Sequence, residues 1–175
     1  MTQRRTTDLM FSSVSDEWET PQDIYDHLHA EFDFQIDLAA TAATAKCASY
    51  FTKETDALSK DWRSYATRGW LNPPYSRSLC KHFIEKAARQ RQRGFLTVLL
   101  LPARTDTQMF HTYIYDTKRW RARTGVEIRF LSGRVKFSRV RRRGRFVIDR
   151  EQRTHAAPFP SMVVIFRPKD GPTPC

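Results

Sequence analysis

Asn72-Pro73-Pro74-Tyr75, entered from the apolar pair Trp70-Leu71, sets an amide, two rigid prolines and an aromatic ring in consecutive positions. Asn72 supplies a side-chain carbonyl oxygen. Pro73 has no N–H to donate, but its backbone carbonyl accepts, and the prolines hold that carbonyl in place. Two such oxygens can hold the hydrogens of a planar amino group. An aromatic amine is a poor nucleophile, because its lone pair is delocalised into the ring. Paired acceptors pull it toward tetrahedral geometry and localise the pair. Tyr75 offers a face for stacking, worth roughly 1–3 kcal/mol for a base. A flipped-out nucleobase with an exocyclic amine is the ligand this chemistry suits. The bland alternative is a Pro-Pro turn with an Asn start and a core Tyr.

The elements that must position this loop are visible in the pattern. Thr20 is a good helix N-cap and Pro21 fits a first helical position, with Ile24, Tyr25, Leu28 and Phe32 following at helical spacing. Phe32, Phe34, Ile36 and Leu38 alternate with polar residues, which predicts a strand over 32–38. Residues 49–52 read as a short strand, and residues 69–71 as the short strand that delivers Asn72. A helix is predicted over 78–93, stopped at Gly94. Residues 95–101 (FLTVLLL) form an unbroken apolar run, as in a parallel strand covered on both faces. A helix over 106–115 follows. Residues 126–130 read as a strand that 135–137 continue past Gly133, and 161–166 (SMVVIF) as the last strand. Strands alternating with helices and ending in a hairpin argue for an α/β sandwich.

In an open α/β sheet, ligands collect at the carboxyl ends of the strands. Asp37 and Asn72 both end strands, and they project from one edge if those strands run parallel. Asp37 is suited to accept from a cofactor's amino or hydroxyl groups, or to cap a helix. Asp56 and Asp61 suit ribose hydroxyls or an adenine amine, or are solvated loop carboxylates. Trp18 and Trp62 suit a cofactor ring or the core. Arg104 and Asp106 follow the apolar strand as site residues or caps.

The chain has 175 residues, a length that suits one domain, with 30 Lys+Arg against 19 Asp+Glu and a formal charge of +11. That surplus predicts a polyanion partner, nucleic acid before membrane, since no long apolar run is present. Arg139, Arg141, Arg142, Arg143 and Arg145 form a dense basic run, joined by Arg129, Arg134 and Lys136. So many like charges repel without phosphates to meet them. Cys47, Cys80 and Cys175 are far apart, and with the histidines they complete no metal-ligand spacing, so no metal is expected. Residues 1–15 read as a loose polar leader without an apolar signal core, which points to a cytoplasmic protein. Residues 16–167 read as one domain with an Arg-rich insertion near 138–154, and 168–175 as a tail.

The chain resembles the phage-type DNA N-6-adenine methyltransferases, small relatives of the class I S-adenosylmethionine-dependent enzymes. The resemblance covers residues 12–137 and 156–167. Its carriers are Asp16-Glu17-Trp18-Glu19-Thr20-Pro21, Asp37-Leu38-Ala39-Ala40-Thr41, Lys46-Cys47-Ala48-Ser49-Tyr50-Phe51, Asp56-Ala57-Leu58 and Asp61-Trp62. They continue with Trp70 to Ser76 around the Asn-Pro-Pro-Tyr loop, with residues 100–107 and 129–137, and with Ala157-Pro158-Phe159-Pro160-Ser161. Their order and spacing are specific together.

The resemblance implies a Rossmann-like, mostly parallel sheet with an antiparallel last strand and helices on both faces. It implies S-adenosylmethionine as methyl donor and adenine N6 in duplex DNA as acceptor, in a bacterial host and from a phage or prophage. Asn72, Pro73, Pro74 and Tyr75 would grip the flipped adenine. Asp37 and Ala39 would meet the cofactor, with Asp56 and Asp61 near its ribose and adenine. Trp18, Thr20 and Pro21 would line its methionine end. Arg104, Arg134, Lys136 and the arginines of 139–145 would contact DNA. The usual Gly-rich loop after the first strand is replaced by alanines, and no separate recognition domain is present. Alternative acceptors for the same loop are an RNA base or a glutamine amide. A basic DNA-binding protein on a degenerate scaffold is a non-catalytic alternative.

Overall fold

The computed structural model describes residues 18–139 and 154–169. Within them a six-stranded sheet carries the fold. Its strands are β2 (Ile36–Asp37), β3 (Ser49–Tyr50), β4 (Arg68–Leu71), β5 (Leu96–Pro102), β8 (Val126–Phe130) and β11 (Ser161–Phe166), in spatial order β3-β2-β4-β5-β11-β8. The first four run parallel, and β11 is antiparallel to both of its neighbours. The expected Rossmann-like topology with an antiparallel last strand is therefore present.

Alternation along the central strands builds two cores. On β5, Leu99 and Leu101 face one side, while Val98 and Leu100 face the other. β11 divides likewise, Met162, Val164 and Phe166 against Val163 and Ile165. Both faces are covered, which is why these strands read as unbroken apolar runs. Helix α2 (Arg77–Arg91) covers the first face with Phe83, Ile84 and Ala87. The short helix α3 (Gln108–Tyr113) joins it there through Phe110. Helix α1 (Gln22–Phe32) covers the second face with Tyr25, Leu28 and Phe32.

The ends of α1 depart from expectation. Pro21, not Thr20, holds the capping position, and no side chain caps this end. Thr20 is buried. At the other end Asp33 takes a left-handed conformation, φ 51°, and its N–H returns to the His29 carbonyl at 2.8 Å. The predicted strand over 32–38 is therefore cut down to Ile36–Asp37. The alternation of Phe32 and Phe34 has another source: Phe32 ends the buried helical face, and Phe34 packs on Tyr25 and Trp70.

A second difference lies past β8. Gly133, at φ 72°, turns the chain away from the main sheet. β9 (Lys136–Arg139) then pairs antiparallel with β1 (Trp18–Glu19) and with β10 (Thr154–Ala156) in a separate three-stranded sheet. Residues 135–137 do not extend β8. A small hairpin, β6 (Tyr115–Asp116) with β7 (Arg121–Ala122), links α3 to β8.

Gly69 lies in β4 at the tightest point of the sheet. A Cβ there would stand 2.9 Å from Leu38 Cδ1 and 2.9 Å from Phe95 Cζ, both on fully buried side chains. Gly69→Ala is expected to lower the unfolding free energy by about 1–3 kcal/mol, the usual cost of overpacking. Urea unfolding checks it, through a lower midpoint at an unchanged slope.

Candidate active site

Register brings the site together. Asp37 pairs with Trp70 across β2 and β4, and the Leu38 N–H donates to the Trp70 carbonyl at 2.9 Å. Both strands then end at the same edge, and Asn72 leaves β4 beside the loop that leaves β2. A cavity of about 400 Å³ opens between them. Thr20, Asp37, Ala39 and Asp56 line it from one side, and Asn72, Pro73 and Pro74 from the other.

Asp37 is almost fully buried, at 3% exposure. Its Oδ1 accepts from the Ala39 N–H at 3.2 Å and its Oδ2 from the Lys46 N–H at 3.1 Å. One carboxylate thus ties down both ends of the loop over 38–46. Burial pushes its pKa up to about 6, and those two N–H donors with the Lys46 charge offset part of the rise. Within this loop Thr41 N–H donates to Thr44 Oγ1 at 3.0 Å, and Ala45 N–H donates to the Thr41 carbonyl at 2.9 Å. No residue from 38 to 46 has positive φ. The loop does not use the conformation that glycine permits, so its alanines fit without strain.

A charge pair in the cavity wall was not assigned from sequence. Lys46 Nζ lies 3.3 Å from Glu19 Oε1 and donates to Gln22 Oε1 at 2.9 Å. Both Lys46 and Glu19 line the cavity. They sit in sequence segments that carry the family resemblance, and the clue was opposite charge in two such segments. Ala57, Leu58, Leu79 and Phe83 add an apolar wall. Asp56 takes φ 46° and accepts from the Leu58 N–H at 3.1 Å, a tight side-chain turn at the rim.

Asp61 is placed elsewhere. It caps the 3-10 turn Trp62–Ser64 and pairs with Arg93 at 2.6 Å, and it is not part of the cavity lining. Pro21 also stands outside that lining. The backbone of Trp18 pairs with Arg139 in the smaller sheet. Trp62 is fully buried in the core, where its indole N–H donates to the Ala57 carbonyl at 2.8 Å, so it faces no ligand.

In the loop itself, Pro73 and Tyr75 are buried, while Asn72 and Pro74 are half-buried. The Tyr75 hydroxyl donates to Asn72 Oδ1 at 2.8 Å. That bond orients the amide, and a carbonyl oxygen, with two lone pairs, accepts more than one hydrogen. The Tyr75 ring does not offer the open face expected of it. It meets Phe137 and Phe159 edge to face, with centroids 6.1 Å and 5.5 Å away, and is 7% exposed. Tyr75 also lines a second cavity of about 570 Å³, with Cys80, Leu101, Pro102 and Arg104. The loop therefore borders both cavities, the smaller through Asn72, Pro73 and Pro74 and the larger through Tyr75.

Of the predicted DNA contacts, Arg104 is exposed beside this second cavity. Arg134 donates to the Ala157 carbonyl at 3.0 Å, and Lys136 is exposed on β9. Arg139 ends β9. Arg141, Arg142, Arg143 and Arg145 lie outside the described residues. Among the described residues no helix is long and apolar enough to cross a membrane, and no group of three or more His, Cys, Asp or Glu is placed to hold a metal ion.

The α/β sheet agrees with comparison to known proteins. The family model for DNA N-6-adenine-methyltransferase (Dam) matches residues 8–174, and the chain belongs to that family. It is similar to the DNA N-6-adenine-methyltransferase of Escherichia phage T1, 33% identical over 99 residues, which cover 56% of this chain and 40% of that protein. It is also similar to the DNA N-6-adenine-methyltransferase of Haemophilus phage HP1 (strain HP1c1), 26% identical over 160 residues, which cover 90% of this chain and 82% of that protein.

Asp37 sets a pH dependence. Its raised pKa means the folded protein keeps the proton up to about pH 6, whereas an unfolded aspartate releases it near pH 4. In that window the unfolded chain binds fewer protons, so stability falls as pH rises from about 4 to about 6 and is level above. Asp37→Asn removes this titration. Denaturant unfolding at stepped pH is expected to show the wild type losing on the order of a few kcal/mol relative to the variant across the window. Parallel curves would exclude a titrating Asp37.

Proposed function

We propose that this protein transfers a methyl group from S-adenosylmethionine to N6 of an adenine turned out of duplex DNA. The observation that carries the reading is the position of Asn72-Pro73-Pro74-Tyr75, whose first three residues line the smaller cavity while Tyr75 lines the larger. A donor in one cavity and a base in the other would meet at this loop. Family membership and the formal charge of +11 support DNA as the acceptor.

The smaller cavity fits the cofactor chemically. Its volume lies within the roughly 300–1,000 Å³ of ordinary small-molecule sites. Lys46 and Glu19 would take the carboxylate and ammonium of the amino-acid end, with Thr20 beside them. Asp56 would accept from the ribose hydroxyls, and Leu58 and Phe83 would cover the flat ring. Asp37 would act chiefly by holding the loop over 38–46 in place. When bound, the cofactor supplies an electrophilic methyl on a sulfonium sulfur.

The rest of the work falls to the chain. Asn72 Oδ1 and the Pro73 carbonyl accept from the amino hydrogens and concentrate the lone pair on nitrogen. The same two oxygens would hold the amino group in line with the donor's methyl and stabilise the positive charge the nitrogen takes up, before one of its protons passes to water. The main contributions are positioning and aimed oxygens, not covalent catalysis. Tyr75 serves through its hydroxyl, which fixes the amide.

Mass spectrometry of nucleosides from DNA treated with protein and isotopically labelled cofactor is expected to show labelled N6-methyladenine. Its absence would overturn the proposal. Asn72→Ala should reduce transfer to background while calorimetry still detects cofactor binding. Tyr75→Phe, which removes only the hydroxyl, is expected to lower kcat by about fivefold to tenfold, the value of roughly one hydrogen bond in the transition state.

A further inference from the structure

Among the described residues, the rim of the second cavity carries more cations than carboxylates. Arg77 and Lys81 border it from the first turns of α2, and Arg104 borders it from the loop after β5. All three are exposed. Among the described residues none of them forms an ion pair. Asp106 is the carboxylate on the same lining, so the cations keep a surplus.

This placement is unfavourable without a ligand. Arg77 and Lys81 stand four residues apart on one helix face, where like charges repel. They also stand at the positive end of the helix dipole, and no acidic residue lies in that first turn. An anion over the cavity offsets both effects. The floor tells which anion. Tyr75 belongs to it, and so does Cys80, which is buried. A ligand held by the rim therefore lies directly above the loop that grips the base.

We infer that Arg77, Lys81 and Arg104 form a collar for the DNA phosphodiesters that flank the extruded adenine. The inference rests on the proposed function, since it takes the loop at Asn72 as the base site. The collar is separate from the arginine run over 139–145. It reads no base. It fixes the two phosphates attached to the sugar of the target nucleotide, and so holds the nucleotide out while its amine sits between the two oxygens. Lys81 and Arg77 carry no role in the sequence pattern, because nothing in a helix of alternating basic and apolar residues tells which cations border a cavity.

The test is binding of the full-length protein to an adenine-containing duplex, followed by fluorescence anisotropy from low to high salt without cofactor. The double variant Arg77→Gln/Lys81→Gln is expected to flatten the slope of log affinity on log salt by about two units, near 0.9 for each phosphate no longer neutralised. Its affinity at moderate salt should fall by about tenfold or more. Lys81→Arg, which keeps the charge, should keep the slope. Both side chains are exposed, and a thermal midpoint equal to or above that of the wild type shows that folding is intact. A wild-type slope in the folded double variant overturns the collar. Labelled N6-methyladenine formation by the wild type is read in parallel. If it is absent while the slope change persists, the function falls and the phosphate contact stands. If methylation is present while the slope is unmoved, the collar falls alone.

Discussion

One hydrogen-bonded step in the parallel sheet sets the position of the site. The Leu38 N–H meets the Trp70 carbonyl, and with that register Asp37 and Asn72 end neighbouring strands at a common edge. A shift by one residue would turn every side chain of β4 to the opposite face and exchange Trp70 with Leu71 between the two cores. Packing forbids that shift. Gly69 leaves just enough room for Leu38 and Phe95 to meet above the strand, and a side chain at that position would have to displace them. The geometry of the chemistry thus follows from a sheet contact that involves no functional side chain.

The buried carboxylate of Asp37 is the second part of this frame. A charge with 3% exposure is unfavourable unless polar groups meet it, and here two backbone N–H groups do. They come from the two ends of one loop, so the need to satisfy the carboxylate is also what closes the loop. The rise of its pKa to about 6 shows that the compensation is incomplete. A ligand group that donates toward Asp37, or places positive charge near it, finds an acceptor already short of solvation. The loop needs no glycine because its course is set by these hydrogen bonds and by the Thr41–Thr44 turn, not by left-handed backbone.

The sheet was legible in the sequence because burial on both faces leaves a plain mark. The runs at 95–101 and 161–166 gave β5 and β11, and the strand into Asn72 was placed correctly. Local reading failed where two periodicities overlapped. Phe32 and Phe34 alternate like a strand, yet one finishes α1 and the other packs on it. Residues 135–137 read as continuing the strand past Gly133, but at φ 72° Gly133 directs the chain into a second sheet. Residue type singled out Asn72, Asp37 and Asp56, and the fold sets them in the lining of one cavity with Thr20 and Ala39. Lys46 and Glu19 were missed because they are 27 residues apart and meet only through the fold. Asp61 lies outside that lining, and a carboxylate that caps a turn looks the same in sequence as one that faces a ligand.

The two cavities differ in electrostatic character, and the difference bears on how one short loop can serve two ligands. The smaller holds both signs, Lys46 against Glu19 with Asp37 and Asp56 nearby, as suits a molecule that itself carries both signs. The larger is bordered mainly by cations, as suits a polyanion. A long-range field from the surplus of basic residues draws DNA toward the whole surface, but it cannot choose between the two openings, because at physiological salt it fades over about 8 Å. Choice has to be local. Carboxylates in the walls of the smaller cavity repel phosphate there, and the cations of the larger rim attract it. Asn72-Pro73-Pro74-Tyr75 borders both environments, so under the proposed function neither ligand would need to enter the other's cavity for their reacting atoms to approach. The prolines matter for the same reason: a wall shared by two cavities must keep its shape, and fixed φ at two consecutive residues keeps it.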